Sequence, residues 1–148
     1  MIAKTSACLL GILLCLFCGG FIQSAWAYNT EDLKRLKATG SCPRCDLSAA
    51  TLDELQLFRS NLSGANLSGA NLSRTNLIAA DLSRADLSGA ILSGANLSGA
   101  DLSSANLSTA ELLATELTLV DFSGAKLERA SLEKANLLKA KLPNADLS

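Results

Sequence analysis

The stretch NLSGANLSGANL, residues 61–72, decides the fold, because it repeats a five-residue unit almost without change. The consensus of the unit is Ala, then Asn or Asp, then Leu, Ser and Gly. Leucine recurs at every fifth residue from Leu47 to Leu147, with Phe122 as the one substitution among 21 positions. The register never slips over this range, so the unit must also be the structural unit.

A period of five fits neither an α-helix nor a β-strand, whose periods are about 3.6 and 2.0 residues. In a helix the leucines would rotate around the surface and leave no single apolar stripe. We therefore interpret each unit as one side and one corner of a coil, with Leu and Ala inward and Ser-Gly at the corner, where glycine tolerates a positive φ. Four units would close a coil of about twenty residues, and stacked coils would lie about 4.8 Å apart.

The segments NLSGANLSGANL (61–72) and ILSGANLSGADLSSANL (91–107) resemble the pentapeptide-repeat family. The resemblance covers residues 45–148 and implies an all-β fold, a right-handed quadrilateral β-helix of about five coils. Leu55 and Ser60 replace the inward Ala. We therefore expect a bulge or a widened side over residues 53–59.

Residues 1–27 have the pattern of a signal peptide. Lys4 supplies a positive charge, an apolar stretch runs from Ala7 to Ile22, and Ala25-Trp26-Ala27 forms an A-x-A cleavage site. Cleavage after Ala27 would leave a mature chain without a membrane span. It predicts secretion, or a location in the periplasm or the thylakoid lumen, where cysteines meet oxidising conditions. An uncleaved membrane anchor and a lipoprotein signal are the alternatives.

Residues 28–44 are predicted to form an N-terminal cap that contains a short helix. Asn29 or Thr30 suits the start of this helix, and Gly40 suits its end. Such a helix would cover the open edge of the first coil, which would otherwise expose both core and backbone. The repeat domain is then predicted at residues 45–148.

Cys42 and Cys45 stand where the cap meets the first coil. The favoured interpretation is a disulfide that staples the cap to this coil, and free thiols are the alternative. Redox chemistry would require a βαβ context, and a zinc site would require four ligands, so redox or intermolecular metal chemistry is the least favoured interpretation. The segment CPRCDLS also resembles the N-terminal edge of many cyanobacterial family members. No cofactor and no metal are predicted.

At the other end, the register runs to Leu147 without a capping helix. An exposed coil edge pairs readily with another chain, so a homodimer through the C-terminal coil is predicted. The alternative is an edge guarded by the charges of Lys126, Arg129, Lys134, Lys139 and Lys141.

Positions that differ by twenty should share a side of the coil. On the side of Leu57 the outward positions include large apolar residues, whereas other sides carry mostly Ser or Gly. We interpret this side as a partner surface, although scattered apolar residues and the interruption at Ser98 are the competing interpretation. The predicted surface consists of Phe58, Ile78, Leu119 and Leu138.

An adjoining side stacks Asp81, Asp101 and Asp121. These carboxylates would lie about 5 Å apart, one coil spacing from each other. They would either hold a cation or be solvated beside Arg84.

The charges exclude several functions. There are 13 Lys and Arg against 14 Asp and Glu; without Lys4 the balance is 12 against 14, or −2. That argues against a basic nucleic-acid binder. Histidine is absent and the many serines have no evident base, so no catalytic residues are predicted. We expect a non-enzymatic structural or protein-interaction scaffold outside the cytoplasm. The alternative is a DNA-mimicking gyrase protector, the best-known activity of the family, which export and near-neutral charge disfavour.

Overall fold

The computed structural model describes residues 28–148 and contains one α-helix, α1, at Thr30–Thr39. The predicted signal peptide at residues 1–27 lies outside the described residues. After α1 the chain forms isolated parallel bridges, of which the first joins Ser41 to Asn61 and the last joins Lys126 to Asp146. Within residues 28–148 no strand is longer than a single bridge residue.

Every bridge joins residues twenty apart, and a new bridge begins every five residues. Four units therefore complete one coil and bring the chain back to the same side. Backbone hydrogen bonds run in both directions between neighbouring coils: Leu47 N donates to Asn66 O at 2.8 Å, and Asn66 N donates to Cys45 O at 2.8 Å. The period of the sequence is thus the period of the stacked coil.

The corners are β-turns with one residue in the left-handed region. In the turn of residues 67–70, Ala70 N donates to Leu67 O at 3.0 Å, and Gly69 has a φ of +63°. The equivalent residue has a positive φ at every corner from Arg44 to Asn144, yet 15 of these residues are not glycine. The ladder of hydrogen bonds between coils holds this conformation at corners where the residue type disfavours it.

The core is a column of inward Leu and Ala side chains. Leu62, Leu82 and Phe122 are completely buried, and each buried leucine contributes about 1.5–3 kcal/mol of transfer free energy. Burial decreases in the last coil, where Leu132 and Leu137 are only half-buried.

The polar residues of the unit are explained by a local hydrogen-bonding pattern. Asn61 Oδ1 accepts the backbone N–H of Ser63 at 3.0 Å and its hydroxyl at 2.7 Å. The same arrangement joins Asp81 to Ser83. These Asx-type turns stabilise the approach to each corner. The abundance of serine is therefore explained by a hydrogen bond that supports the turn.

The prediction for residues 53–59 was a bulge or a widened side, and the bulge is absent, so that part of the prediction was wrong. Successive bridges at Thr51, Gln56 and Asn61 keep the five-residue spacing without an extra residue. Leu55 is tolerated because it lies in the first coil, where it lines a groove with Leu36 of α1 instead of being pressed between two coils. The larger side chain fills space beside the helix.

Helix α1 lies against the first coil. Asn29 caps it by accepting the Asp32 N–H at 3.3 Å, and Gly40, with a φ of +65°, ends it. Leu36 is 1% exposed and belongs to the core. Asp46 N donates to Asp32 Oδ2 at 2.9 Å, which ties the helix to the second unit of the coil. No helix in residues 28–148 has both the length and the apolar character needed to cross a bilayer.

Candidate partner-binding surface

The outward residues of each corner are the two that follow the inward leucine. Because coils stack every twenty residues, the corner after Leu57 forms two columns along the molecule. We name these columns the apolar corner. The first column contains Phe58, Ile78, Ser98, Thr118 and Leu138, and the second contains Arg59, Ala79, Gly99, Leu119 and Lys139.

The four predicted surface residues all lie at this corner. Phe58 is 51% exposed, Leu119 58% and Leu138 61%, whereas Ile78 is half-buried. Leu119 N donates to Leu138 O at 2.9 Å, so these two side chains project from neighbouring coils. Phe58 and Ile78 likewise occupy successive coils.

The four residues form two groups and not one continuous patch. Between Ile78 and Leu119 lies a coil that presents only Ser98 and Gly99. A Cβ atom built on Gly99 would meet nothing within 4 Å, so the space above it is open. Ile78 and Leu119 are two coils apart, or roughly 10 Å. We name this low region, residues 98–99, the saddle.

Arg59 accompanies the first apolar group. Its guanidinium carbon lies 4.9 Å from the centroid of the Phe58 ring, within the range of a cation–π interaction. This contact covers part of the ring and places a positive charge at the end of the corner near α1.

Other exposed apolar side chains were not predicted from the sequence. Ile91 is 37% exposed and Leu113 is 41% exposed, both in the units of another side, and Leu147 is 60% exposed. Ile91 and Leu113 each replace the polar residue usual at an outward position, a signal that the sequence did carry, whereas Leu147 is the last leucine of the inward register. They are too few on their sides to form columns like those of the apolar corner.

The side that follows the apolar corner carries the aspartate column, which we define as Asp81, Asp101 and Asp121. Bridges join Asp81 to Asp101 and Asp101 to Asp121, so the three lie in successive coils. Oδ1 of each accepts the backbone N–H of the serine two residues later, at 2.8–3.0 Å. These bonds hold one oxygen of each carboxylate toward the backbone.

Hydrogen bonding lowers the pKa of Asp121, chiefly through the Ser123 hydroxyl and then through its N–H. Lys141 Nζ lies 3.9 Å from Asp121 Oδ2 and is well exposed. Within residues 28–148 no ion pair joins Arg84 to Asp81. Within residues 28–148 the column is therefore a stack of three carboxyl groups of which only Asp121 is paired with a cation of the chain.

On the other flank of the apolar corner lies Glu116. Its pKa is lowered by the hydroxyl of Thr118, then by the side-chain amide of Asn136. Asn136 Nδ2 donates to both carboxylate oxygens, at 2.8 and 3.0 Å. Acidic groups therefore border the corner on both flanks.

The cysteines lie at the first corner. The ladder begins at Ser41, so Cys42 takes the inward position of Leu and Cys45 that of Ala. Both are fully buried, and their sulfur atoms are bonded at 1.92 Å. The disulfide thus closes a corner of the first coil, and α1 lies over it.

Arg35 of α1 occupies the space above the sulfurs. Its Nη2 donates to Asp32 Oδ1 at 2.7 Å and lies 2.6 Å from Cys45 Sγ. Asp32, Cys42 and Cys45 form the one group of three ligand-type residues close enough for a metal ion in residues 28–148. The guanidinium and the disulfide already use these atoms, so the group is a structural contact of the cap.

Comparison with known proteins agrees with this architecture. The family model described as pentapeptide repeats, with eight copies, matches residues 42–77, 56–94, 80–112 and 115–148. A search of curated protein sequences found no match. The family fold, a right-handed quadrilateral β-helix, accounts for the four units in each coil.

Three solved structures illustrate the similarity. The pentapeptide repeat protein Rfr23 from the cyanobacterium Cyanothece 51142 is 26% identical over 80% of this chain and 99% of that chain, with a TM-score of 0.61. The pentapeptide repeat protein alr5209 from Nostoc PCC 7120 is 29% identical over 78% and 95%, with a TM-score of 0.53.

The third is HetL from Nostoc sp. strain PCC 7120, which is involved in heterocyst differentiation regulation. It is 38% identical over 73% of this chain and 57% of that chain, with a TM-score of 0.48. Because the family model matches most of the sequence, the chain belongs to the pentapeptide-repeat family.

Proposed function

We propose that the protein is a non-enzymatic structural and protein-interaction scaffold that acts in an extracytoplasmic compartment. Its tube of about five coils, capped by α1, presents side chains in fixed columns. The observation that carries the proposal is the apolar corner, where Phe58, Leu119 and Leu138 are each more than half exposed. Exposed apolar groups that share one face of a rigid fold mark sites of protein contact.

The rigidity of the scaffold supports this role. Each coil is held by backbone hydrogen bonds to its neighbour, such as Leu97 N to Glu116 O at 2.8 Å, and by a fully buried core. A surface on such a frame loses little conformational entropy when a partner binds. The corner is therefore preorganised for contact.

The polar chemistry supports a non-enzymatic role. The hydroxyls of Ser63 and Ser83 donate to Asn61 and Asp81, and histidine is absent from the chain. A nucleophilic serine needs a neighbouring base that accepts its proton, and these hydroxyls instead serve the turns.

Export is proposed from the sequence before Tyr28, where Ala25-Trp26-Ala27 has the small residues that a signal peptidase requires. A disulfide at Cys42 and Cys45 accords with secretion or with a location in the periplasm or the thylakoid lumen. N-terminal sequencing of the protein from its native cells should begin at Tyr28. A chain that still begins at Met1 would contradict cleavage.

Affinity capture from the native compartment, followed by mass spectrometry, tests the scaffold role. The double variant Phe58→Ser with Ile78→Ser should lose partners that the unmodified protein retains. The control Ile91→Ser with Leu113→Ser removes two exposed apolar side chains from another side. It should retain the same partners. Equal capture by all three proteins would contradict the proposal.

We also propose that two copies associate through the coil of residues 129–148. Here Leu132, Leu137 and Leu142 are half-buried, and their backbone N–H groups have no backbone acceptor within residues 28–148. Exposed core and unpaired amides favour edge-to-edge pairing. Light scattering should show a dimer that Leu142→Lys converts to a monomer, and a monomer at all concentrations would contradict it.

A supercoiling assay with DNA gyrase separates the scaffold role from DNA mimicry. With a charge of 12 basic against 14 acidic residues after Lys4 is removed, the protein lacks the strong negative charge of a DNA mimic. We expect supercoiling and its inhibition by quinolones to be unaffected.

A further inference from the structure

We propose that the saddle of the apolar corner binds a basic amphipathic helix of a partner protein. This inference rests on the proposed scaffold function and adds the chemistry of the partner. The helix would lie across the saddle, with its apolar face between Ile78 and Leu119 and its basic side chains on the aspartate column.

The shape of the corner fits a helix. Half-buried Ile78 and exposed Leu119 lie in the coils on either side of Ser98 and Gly99, two coil spacings or roughly 10 Å apart. A helix with its side chains is about 10–12 Å across, so its apolar stripe can rest over the saddle while larger residues contact the two flanks. The space above Gly99 is open to receive it.

The negative charge beside the saddle favours a positively charged partner. Asp101 lies in the unit directly after Gly99 and is exposed, with Asp81 and Asp121 in the coils on either side. The Oδ1 atoms of Asp81 and Asp101 accept hydrogen bonds from serines. Their Oδ2 atoms have no donor within residues 28–148, so they face outward as acceptors for Lys or Arg.

Cations near the saddle are few and peripheral. Arg59 stacks on Phe58 two coils away, and Lys139 lies two coils away in the other direction. Lys141 lies beside Asp121 at the far end of the aspartate column. Arg84 stands at the next corner. On the opposite flank Glu116 is ionised and adds to the negative field. An acidic helix or an anionic membrane would therefore be repelled, whereas a basic helix would be attracted.

The test uses three labelled peptides of equal length and the purified protein. One peptide is an amphipathic helix of Leu and Lys, the second has Glu in place of Lys, and the third has the Leu and Lys order shuffled so that it has no apolar face. Fluorescence anisotropy should show binding of the first alone, weaker as salt rises from about 0.05 to 0.5 M. Amide shifts in NMR spectra should centre on residues 78, 98–101 and 119.

Two double variants probe the two parts of the site. Asp81→Asn with Asp101→Asn should weaken binding about threefold to tenfold, because two exposed charge pairs are lost. The fold should survive, since Asn61 and Asn66 make the same turn bond to serine. The control Glu111→Gln with Glu133→Gln removes two charges elsewhere and should leave binding unchanged. Ile78→Ser with Leu119→Ser should abolish binding.

The outcomes separate this inference from the scaffold role. Equal binding of the Glu peptide, unchanged affinity of the aspartate variant, or shifts centred on another side would overturn the basic-helix inference. If native partners are still lost on Phe58→Ser with Ile78→Ser, the scaffold role stands while the partner chemistry is wrong. If those partners persist, the scaffold role itself fails, whatever the peptides do.

Discussion

The hydroxyl of Thr75 donates to the backbone carbonyl of Leu52 at 2.8 Å inside the tube, although the two residues are 23 positions apart. Thr115 makes the equivalent bond to Leu92 at 3.0 Å. Ser60, which also replaces the inward Ala, is 3% exposed, and its hydroxyl has no hydrogen-bond partner among residues 28–148. An inward hydroxyl thus stabilises the fold where it donates a hydrogen bond, as in Thr75, and destabilises it where it has no partner, as in Ser60.

We therefore expect Thr75→Val and Ser60→Ala to have opposite effects. The first removes a buried hydrogen bond and should lower the free energy of unfolding by about 1 kcal/mol. The second removes an unsatisfied buried hydroxyl and should raise it by about 1 kcal/mol. Urea unfolding followed by circular dichroism checks both. Destabilisation by Ser60→Ala would show that its hydroxyl has a partner in solution.

The corners allow a test of backbone strain. Gly69→Ala should lower the free energy of unfolding by about 1 kcal/mol, because a side chain at φ +63° is disfavoured while no atom lies within 4 Å of the new Cβ. Thr109, at φ 60° two coils away, is β-branched, so Thr109→Gly should raise stability by about 0.5 kcal/mol. Thermal unfolding of both variants measures the two changes in stability. Changes of the same sign would argue against backbone strain at these corners.

The core should be less sensitive to truncation in its last coil. Leu97 is completely buried, so Leu97→Ala should cost about 2–5 kcal/mol through lost burial and a cavity. Leu137 lies on the same side but is half-buried, so Leu137→Ala should lower the free energy of unfolding by less than half as much. Chemical denaturation of the two variants gives the ratio. This ratio applies to dilute, monomeric protein, and equal losses there would contradict the prediction. At concentrations where light scattering shows the proposed dimer, the two losses should become more similar, because the second copy would cover the last coil.

Acid should weaken the fold through its hydrogen-bonded carboxylates. The pKa values of Glu116 and Asp121 are lowered by Thr118 and Ser123. A carboxyl with a lower pKa in the folded state stabilises the fold above its unfolded pKa, and this stabilisation is lost as the pH falls through the folded pKa. Urea midpoints should fall between about pH 5 and pH 2, and Glu116→Gln should reduce that slope. Identical slopes would contradict the role of Glu116.

The disulfide should stabilise α1 locally. Reduction, or Cys45→Ala, removes a crosslink beneath the helix and should cost up to about 2 kcal/mol. Hydrogen exchange of the amides near Leu36 should accelerate, while amides near Leu97, in a central coil, should not change. Intact mass before and after reduction should differ by two hydrogen atoms. A protein with reactive thiols in its native state would contradict the crosslink.

The period of the sequence was sufficient to predict the sides and the inward columns, because stacking every twenty residues follows directly from a register that never slips. It did not predict the left-handed conformation at corners such as Leu119, since that conformation is imposed by hydrogen bonds between coils. The bulge expected near Leu55 was wrong because the sequence does not show that α1 leaves room beside the first coil.

The candidate surface was predicted only in part. Phe58, Ile78, Leu119 and Leu138 were assigned to one corner, and the twenty-residue spacing places them there. Their division into two groups depends on where Ser98 and Gly99 fall between them. The effect of Ser83 and Ser103 on the aspartate column was not predicted, because it depends on hydrogen bonds that only the turn geometry reveals.

Because one coil takes twenty residues, an insertion or a deletion keeps the later coils aligned only when its length is a multiple of twenty. Deleting five residues between Ile78 and Leu119 would keep every leucine inward but rotate all later units by a quarter of the coil, which would move Leu119 and Leu138 to a different side from Phe58. Deleting twenty would keep them aligned and bring the two groups one coil closer. Variants of this tube that keep the surface intact must therefore gain or lose complete coils.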